Sequence, residues 1–218
     1  MRGASVASED PPLRPVLEAA ARGDLPDPNG AVTVLPAERR GAAVVGFTAA
    51  HFVLADLPAQ EVMSQLDPDV GAAMRPSFLA WLAGRLDMTC GFVDMLMARL
   101  GAGGGPDLLY PVDEHDSPRV DRAERYRDDL AIHVTADRSG TVILGSGLAG
   151  RLEISIEMDA GSRFRGRGTA LLLDAMQAVE PHRAVFAQVS PGNAASVRAF
   201  LGAGFKPLGS EALISPRF

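Results

Sequence analysis

The stretch from Arg151 to Leu172, RLEISIEMDAGSRFRGRGTALL, decides how the chain is read. Its first part alternates. Leu152, Ile154, Ile156 and Met158 share one side, with Glu153, Ser155 and Glu157 on the other, which predicts a strand. From Gly161 to Gly168 the composition turns to glycine and arginine. Thr169, Ala170, Leu171 and Leu172 then open a predicted helix that runs through Leu173, Met176 and Val179 until Pro181 ends it. A strand, a Gly- and Arg-rich loop and a helix together aim backbone N–H groups at one point before a positive helix end. That arrangement cradles phosphate or pyrophosphate. The loop is not a dinucleotide fingerprint, because only Gly166 and Gly168 have the right spacing, and it lacks the lysine of a P-loop. A tight turn carrying three solvated arginines is the competing reading.

Downstream, Ala184–Val189 predicts a second strand and Asn193–Gly204 a short helix. Phe205–Leu208 and Glu211–Ile214 predict a terminal hairpin. With these in place, the chain resembles the GNAT superfamily of acetyl-CoA-dependent N-acyltransferases. The motif [Q/R]-x-x-G-x-[G/A] is read as Arg163-Phe164-Arg165-Gly166-Arg167-Gly168. The second motif is read on Asn193, Ser196, Phe200, Gly204 and Phe205. Arg165-x-x-Gly168-x-Ala170 also fits the first motif, but the Arg163 register places Met158 five residues ahead, at the last apolar position of the strand. The resemblance covers residues 117–218, and no motif matches in 1–110.

The resemblance implies an α/β fold with a mixed, mostly antiparallel sheet flanked by helices, and transfer of an acetyl group from acetyl-CoA to an amine by direct attack. The amides from Phe164 through Arg165, Gly166, Arg167 and Gly168 to Thr169, behind Arg163, would hold the coenzyme A pyrophosphate. The main chain of Ile156 and Met158 would pair with the pantetheine arm where two strands splay apart, and an amide near Met158 would polarise the thioester carbonyl. Asn193 would hydrogen-bond pantetheine or nearby backbone. The chain departs from the family at Phe164, where Gly is usual, at Arg167, where an aliphatic residue is usual, and at Phe200. The family's common proton donor at that last position is Tyr, and a phenyl ring cannot protonate a thiolate. Ser196, four residues earlier on the same helix face, is the candidate substitute; a cap or backbone bond is its ordinary role. Loss of chemistry, leaving a non-catalytic acyl-CoA-binding module, is the alternative function.

Glu157 is the candidate general base, with Glu153 beside it on the strand; a solvated strand face competes with that reading. His133, on an earlier strand, is a weaker candidate.

Upstream, Leu13, Val16, Leu17 and Ala20 predict a helix stopped by Gly23. Ala31–Leu35 and Ala42–Phe47 predict a hairpin around Glu38-Arg39-Arg40-Gly41, with His51–Leu57 as a further strand. Val62, Met63 and Leu66, then Phe78, Leu79, Leu82 and Leu86, then Phe92, Val93, Leu96 and Leu100 predict three helices. Gly101–Pro106 reads as a linker, dividing an N-terminal α/β segment (1–105) from the acetyl-CoA-binding domain (117–218). A degenerate second copy of the fold, a substrate-side lid and a dimerisation element all stay open for the first segment. Ser117-Pro118 predicts a capped, charged helix, and Leu130–Thr135 and Thr141–Leu144 predict strands around Asp137-Arg138-Ser139-Gly140.

Composition bounds the function. The 218 residues are 47% hydrophobic and 22% charged, which excludes a wholly disordered chain. A net charge of −6 argues against nucleic acid as a partner. Cys90 is alone and the four histidines are scattered, so neither a disulfide nor a metal site is expected. No membrane-length apolar run occurs, and a cytoplasmic protein is expected. The expected partner is a small-molecule or protein amine acceptor, with a homodimer left open.

Overall fold

The computed structural model describes residues 11–37, 41–113, 115–159, 161 and 166–216. Its strands are β1 (Val32–Leu35), β2 (Ala42–Phe47), β3 (Ala50–Leu54), β4 (Thr89–Leu100), β5 (Leu109–Val112), β6 (Asp128–Thr135), β7 (Gly140–Ser146), β8 (Leu152–Met158), β9 (Ala184–Val189) and β10 (Lys206–Ser215). Its α-helices are α1 (Arg14–Arg22), α2 (Ala59–Met63), α3 (Pro76–Arg85), α4 (Pro118–Tyr126), α5 (Arg167–Gln177) and α6 (Ala194–Gly202). All the strands join one sheet in the order β1-β3-β2-β10-β4-β9-β8-β7-β6-β5. Only β1/β3 and β8/β9 pair in parallel, so the sheet is mixed and mostly antiparallel, with helices on both faces.

The faces follow from strand alternation. On one, α5 and α6 bury Leu171, Leu172, Met176 and Phe200 against Met97, Val142, Ile154, Val185 and Ala187. On that same face α3 lays Phe78, Leu79 and Leu82 over Val44, Val53 and Ala212. On the opposite face α1 buries Leu13, Leu17 and Ala20 against Val45, Leu96, Ala98 and Phe186. There α4 packs Val120 and Ala123 on Ile132 and Ile143. The predicted caps form. Gly23 takes φ 102° after α1, and the Ser117 hydroxyl accepts from the Val120 amide at 3.2 Å.

Four expectations change. Residues 89–100 form strand β4, not a helix. Phe92, Val93, Leu96 and Leu100 fit a helical spacing, but β10 and β9 flank the segment and both sheet faces are covered, so Leu96, Met97 and Ala98 are buried in succession and alternation is lost. The first hairpin is β2 with β3, while β1 lies parallel to β3 on its far side. The turn Glu38-Arg39-Arg40 lies outside the described residues. The terminal hairpin is one strand, β10, between β2 and β4. The Gly209-Ser210 step that resembled a turn is paired strand following a register shift between Pro207 and Gly209, and a Cβ at Gly209 would collide with the Gly46 carbonyl oxygen.

The Gly101–Pro106 run, read as a linker, is docked. The amides of Ala102, Gly103 and Gly105 donate to the carbonyls of Met176, Val179 and Gln177 at 2.8, 3.0 and 3.0 Å, satisfying the C-terminal end of α5. Just beyond it, the buried carboxylate of Asp174 accepts from the amides of Asp107 and Leu108 at 2.7 and 3.0 Å. Strands from both sides of the run share the sheet.

Candidate functional site

Two neighbouring strands that pair only briefly define the site. The register of β8 with β9 is Leu152↔Val185 and Glu153↔Phe186. Beyond it β8 continues to Met158 on β7, and β9 continues to Val189 on β4. The two strands therefore part, and β8 from Ile154 to Met158 presents an edge inside the sheet. Ile156 and Met158 turn their side chains toward the α5/α6 core.

Helix α5 begins close to this opening. Gly166 caps it at φ 75°, in the left-handed region where a side chain is strained, and a Cβ there would meet open space. The first helical bond runs from the Ala170 amide to the Gly166 carbonyl at 3.0 Å, so the amides of Gly168 and Thr169 have no acceptor within the helix. A Cβ at Gly168 would lie in ordinary contact with Ala199 on α6 and Ile156 on β8. The first turn of α5 thus rests on both elements that flank the opening. Arg167 pairs with Asp137 on the β6–β7 turn at 3.2 Å. Hydrogen bonds from Ser139 and Thr135, then Arg167, hold the Asp137 carboxyl well below the usual carboxylate range. Arg163, Phe164 and Arg165 lie outside the described residues.

On α6, the Asn193 side chain accepts from the Ser196 amide at 3.1 Å and caps the helix. This is the backbone bond that the sequence offered as one of its two roles. Ser196 is half-buried. Phe200 is buried in the core, its ring edge-on to Phe205 with centroids 4.9 Å apart.

The other face of the opening is polar. Glu153, expected on a solvated or reactive face, is 2% exposed and sits in an ion network. Arg127 Nε and Arg151 Nε donate to its two oxygens at 3.0 and 2.9 Å. Arg151 grips Glu211 with two bonds of 2.6 and 2.8 Å, Gln188 also donates to Glu211, and Arg127 reaches Ser155 Oγ at 3.0 Å. Gly147 makes room for this, because a Cβ there would overlap the Glu153 carboxylate. Burial alone would raise the Glu153 carboxyl; Arg151 and Arg127 outweigh it and lower it. A carboxylate so held is a structural anion and a poor proton acceptor. Glu157 lies further along the same side of β8, half-buried, with Thr141 as its register partner. His133 is on β6, opposite Pro111 and Val142, its Nδ1 buried without a hydrogen bond among the described residues.

Beside the network lies a cleft floored by Asp94, Glu211, Gln188 and Ser155 and walled on α4 by Arg119 and Arg122. Asp94 is pushed above its ordinary value by burial. Arg122 opposes the shift and Glu211 adds to it. Sequence reading missed Asp94, Arg119, Arg122, Gln188 and Glu211 as a group. Their only advance signal was Asp94, a carboxylate within the apolar run from Phe92 to Met97.

No protein-family model and no curated protein matches the chain. Among solved structures it is similar to a GCN5-related N-acetyltransferase from Kribbella flavida, with 17% identity and a TM-score of 0.40, over 64% of this chain and 64% of that one. It is also similar to a GNAT-family protein from Novosphingobium aromaticivorans, with 16% identity and a TM-score of 0.40, over 60% of this chain and 68% of that one. The described residues contain no helix long and apolar enough to cross a membrane.

Proposed function

We propose that the chain is an acyltransferase that moves an acetyl group from acetyl-CoA to an amine in a ternary complex. The observation that carries this reading is the parting of β8 from β9 beside the start of α5. An extended chain bearing amides can lie along the edge that β8 presents beyond its pairing with β9, while an anionic group meets the helix N-terminus. The residues fit such a ligand: Gly166 leaves open space, and Gly168 and Thr169 present amides. Gly166 and Gly168 of the first motif stand at the start of α5; Asn193 of the second caps α6, and Ser196 and Phe200 lie on it.

Within this reading the main chain of Ile156 and Met158 pairs with the pantetheine arm. Arg167 and the amides of Gly168 and Thr169, with Arg163, Phe164 and Arg165 ahead of them, hold the pyrophosphate. Asn193 fixes the start of α6. Ser196 is the proposed donor of a proton toward the departing sulfur, because Phe200 has none to give. The bound thioester supplies an activated acyl carbon. A backbone N–H near Met158 steadies charge on the carbonyl oxygen, worth about 2.7–4 kcal/mol where such donors have been removed.

Calorimetric titration with coenzyme A tests the cradle. Gly166→Asp places a side chain and a negative charge in the open space, and affinity is expected to fall at least ~10-fold, about 1.4 kcal/mol. Unchanged affinity in a folded variant overturns the assignment. The buried phenyl ring of Phe200 favours a second reading, a binding module without chemistry. Release of coenzyme A from acetyl-CoA over time with a panel of amines separates the two.

A further inference from the structure

The cleft on the α4 side contains two carboxylates in unlike surroundings. Asp94 on β4 and Glu211 on β10 are direct cross-strand partners, and both point to the α1/α4 face. Like charges placed opposite each other repel. Glu211 directs its charge into the double bond with Arg151, and both side chains are fully buried. Asp94 has no such anchor among the described residues; the cation that bears on it is Arg122, which lies over the Tyr126 ring at 5.3 Å from the centroid. Burial and the Glu211 charge therefore bear on Asp94. A carboxylate held by two arginine bonds is a structural anion, and the carboxylate beside it without that bond is the one placed to accept a proton. Among the described residues, the charged groups that line the cleft with Asp94 are Glu211 from β10, Arg119 and Arg122 from α4, and Arg127, which pairs with Glu153.

The cations are unlike each other as well. Arg127 and Arg151 are consumed by the buried network. Arg119 is half-buried in the cleft wall and makes no ion pair among the described residues, and Arg122 engages only the Tyr126 ring and, at longer range, Asp94. Two guanidinium groups on one helix wall, facing a floor where Arg151 already pairs Glu211, are a fork for an incoming anion. The floor runs from β10 through β4 and β9 to Ser155 on β8, so it crosses the line where β8 and β9 part. A molecule lying there faces the edge proposed for the thioester from the opposite side of the sheet.

We propose that this cleft is the acceptor site, that it takes an amine bearing its own carboxylate, that Arg119 and Arg122 hold that carboxylate, and that Asp94 accepts the proton of the ammonium group. The inference rests on the acetyl-transfer reading for its chemistry. One proton passes from the ammonium nitrogen to Asp94 Oδ. The freed lone pair forms the new C–N bond, the C–S bond breaks, and the electron pair leaves on sulfur as a thiolate. The second proton lost by the nitrogen balances the one the thiolate takes up. Glu157 shares this side of β8 but is not part of the cleft wall. Asp94 thus takes over the role that the sequence reading gave Glu157.

The test compares β-alanine with ethylamine and 4-aminobutyrate with propylamine, pairs that differ by one carboxylate. NMR titration of the full chain is expected to show the carboxylated member binding at least ~10-fold more tightly, with the preference abolished in the double variant Arg119→Gln/Arg122→Gln. Equal binding within each pair, or no binding of either, overturns the acceptor class. Carboxyl carbon NMR is expected to show Asp94 titrating above ordinary aspartates, and further upward in Arg122→Gln; an ordinary titration overturns the proton-acceptor role. With acetyl-CoA present, Asp94→Asn is expected to lower turnover ~100-fold or more and remove the acidic limb of the pH profile, with Glu157→Gln close to the parent. The reverse ranking also overturns the role. If coenzyme A does not bind while the carboxylated amines do, the transfer reading falls and the ligand assignment stands.

Discussion

Strand β9 has two unlike neighbours. Against β4 it is paired along its whole length, from Ala184↔Leu100 to Val189↔Met95, and that seam continues into β10 and β2. Against β8 it holds for Leu152↔Val185 and Glu153↔Phe186 and then separates. The closed side buries Leu96 on one face and Met97 on the other, with Asp94 and Glu211 as a charged cross-strand pair further along it. The opening has apolar packing on the α5/α6 face only. Its other face is filled by Arg127, Glu153, Arg151 and Glu211. Where the sheet closes, buried apolar side chains line the seam. Where it parts, the edge of β8 is left and a charged network braces the strands around the gap.

The largest expected effect comes from breaking that network. Arg151→Met leaves the Glu153 and Glu211 carboxylates buried together and should destabilise the chain by about 3–5 kcal/mol at neutral pH, measured by urea unfolding. The sign with pH follows from Glu153, whose carboxyl is lowered in the folded chain. Its contribution is complete above the unfolded value of about 4.3 and is lost as pH falls through the lower folded value. The gap between parent and variant should therefore narrow on acidification. A gap that is flat with pH would show the arginine acting through packing alone.

Next comes the seam. Met97→Ala is expected to cost about 2–5 kcal/mol, because the side chain is wholly enclosed. Ile156→Ala, at the half-buried edge of the opening, should cost less than half as much. Equal losses at the two sites would erase the distinction between the closed and open sides of β9.

The smallest effect has the opposite sign. Asp94 is raised in the folded chain, so its ionisation opposes folding wherever the pH exceeds the unfolded value of about 3.9. Asp94→Asn should raise the melting temperature at pH 7, and the gain should vanish as pH drops below the usual carboxylate range. A stabilising change that abolishes turnover is the pattern of a strained functional group.

The closed and open sides also differ in how plainly the sequence announces them. The alternation of Leu152, Ile154, Ile156 and Met158, the helix through Thr169 and the caps at Gly23 and Ser117 are local signals, and each forms as read. The α5 side of the opening was therefore legible. The seam was not. In β4 the doubly covered stretch Leu96-Met97-Ala98 carries no period of two, and the Gly209-Ser210 step in β10 reads as a turn until Gly46 is seen beside it. The cleft was hidden for the same reason. Asp94 and Glu211 are neighbours only through the β4–β10 register, and Arg119 and Arg122 join them only because α4 packs on that face. Glu153 shows the limit of local reading most sharply: its alternation promised exposure, yet Arg127, far off in the sequence, joins Arg151 in enclosing it.

The place of β10 bears on how the molecule comes to exist. It lies between β2 and β4, yet it is made after every other described strand. Until it arrives, β2 and β4 each present a bare edge, rich in valine, leucine and methionine, facing a slot that no earlier strand fills. Contacts between residues near 45 and near 211 require the ends of a long loop to meet, which slows folding and prolongs the life of those edges. Newly made chains are therefore most vulnerable to one another while this slot is open, because strand β10 of one copy can enter the slot of another as readily as its own. Dilution during refolding should favour the monomer, and the concentration that tips the balance toward exchanged pairs is a direct gauge of how long the slot stays empty.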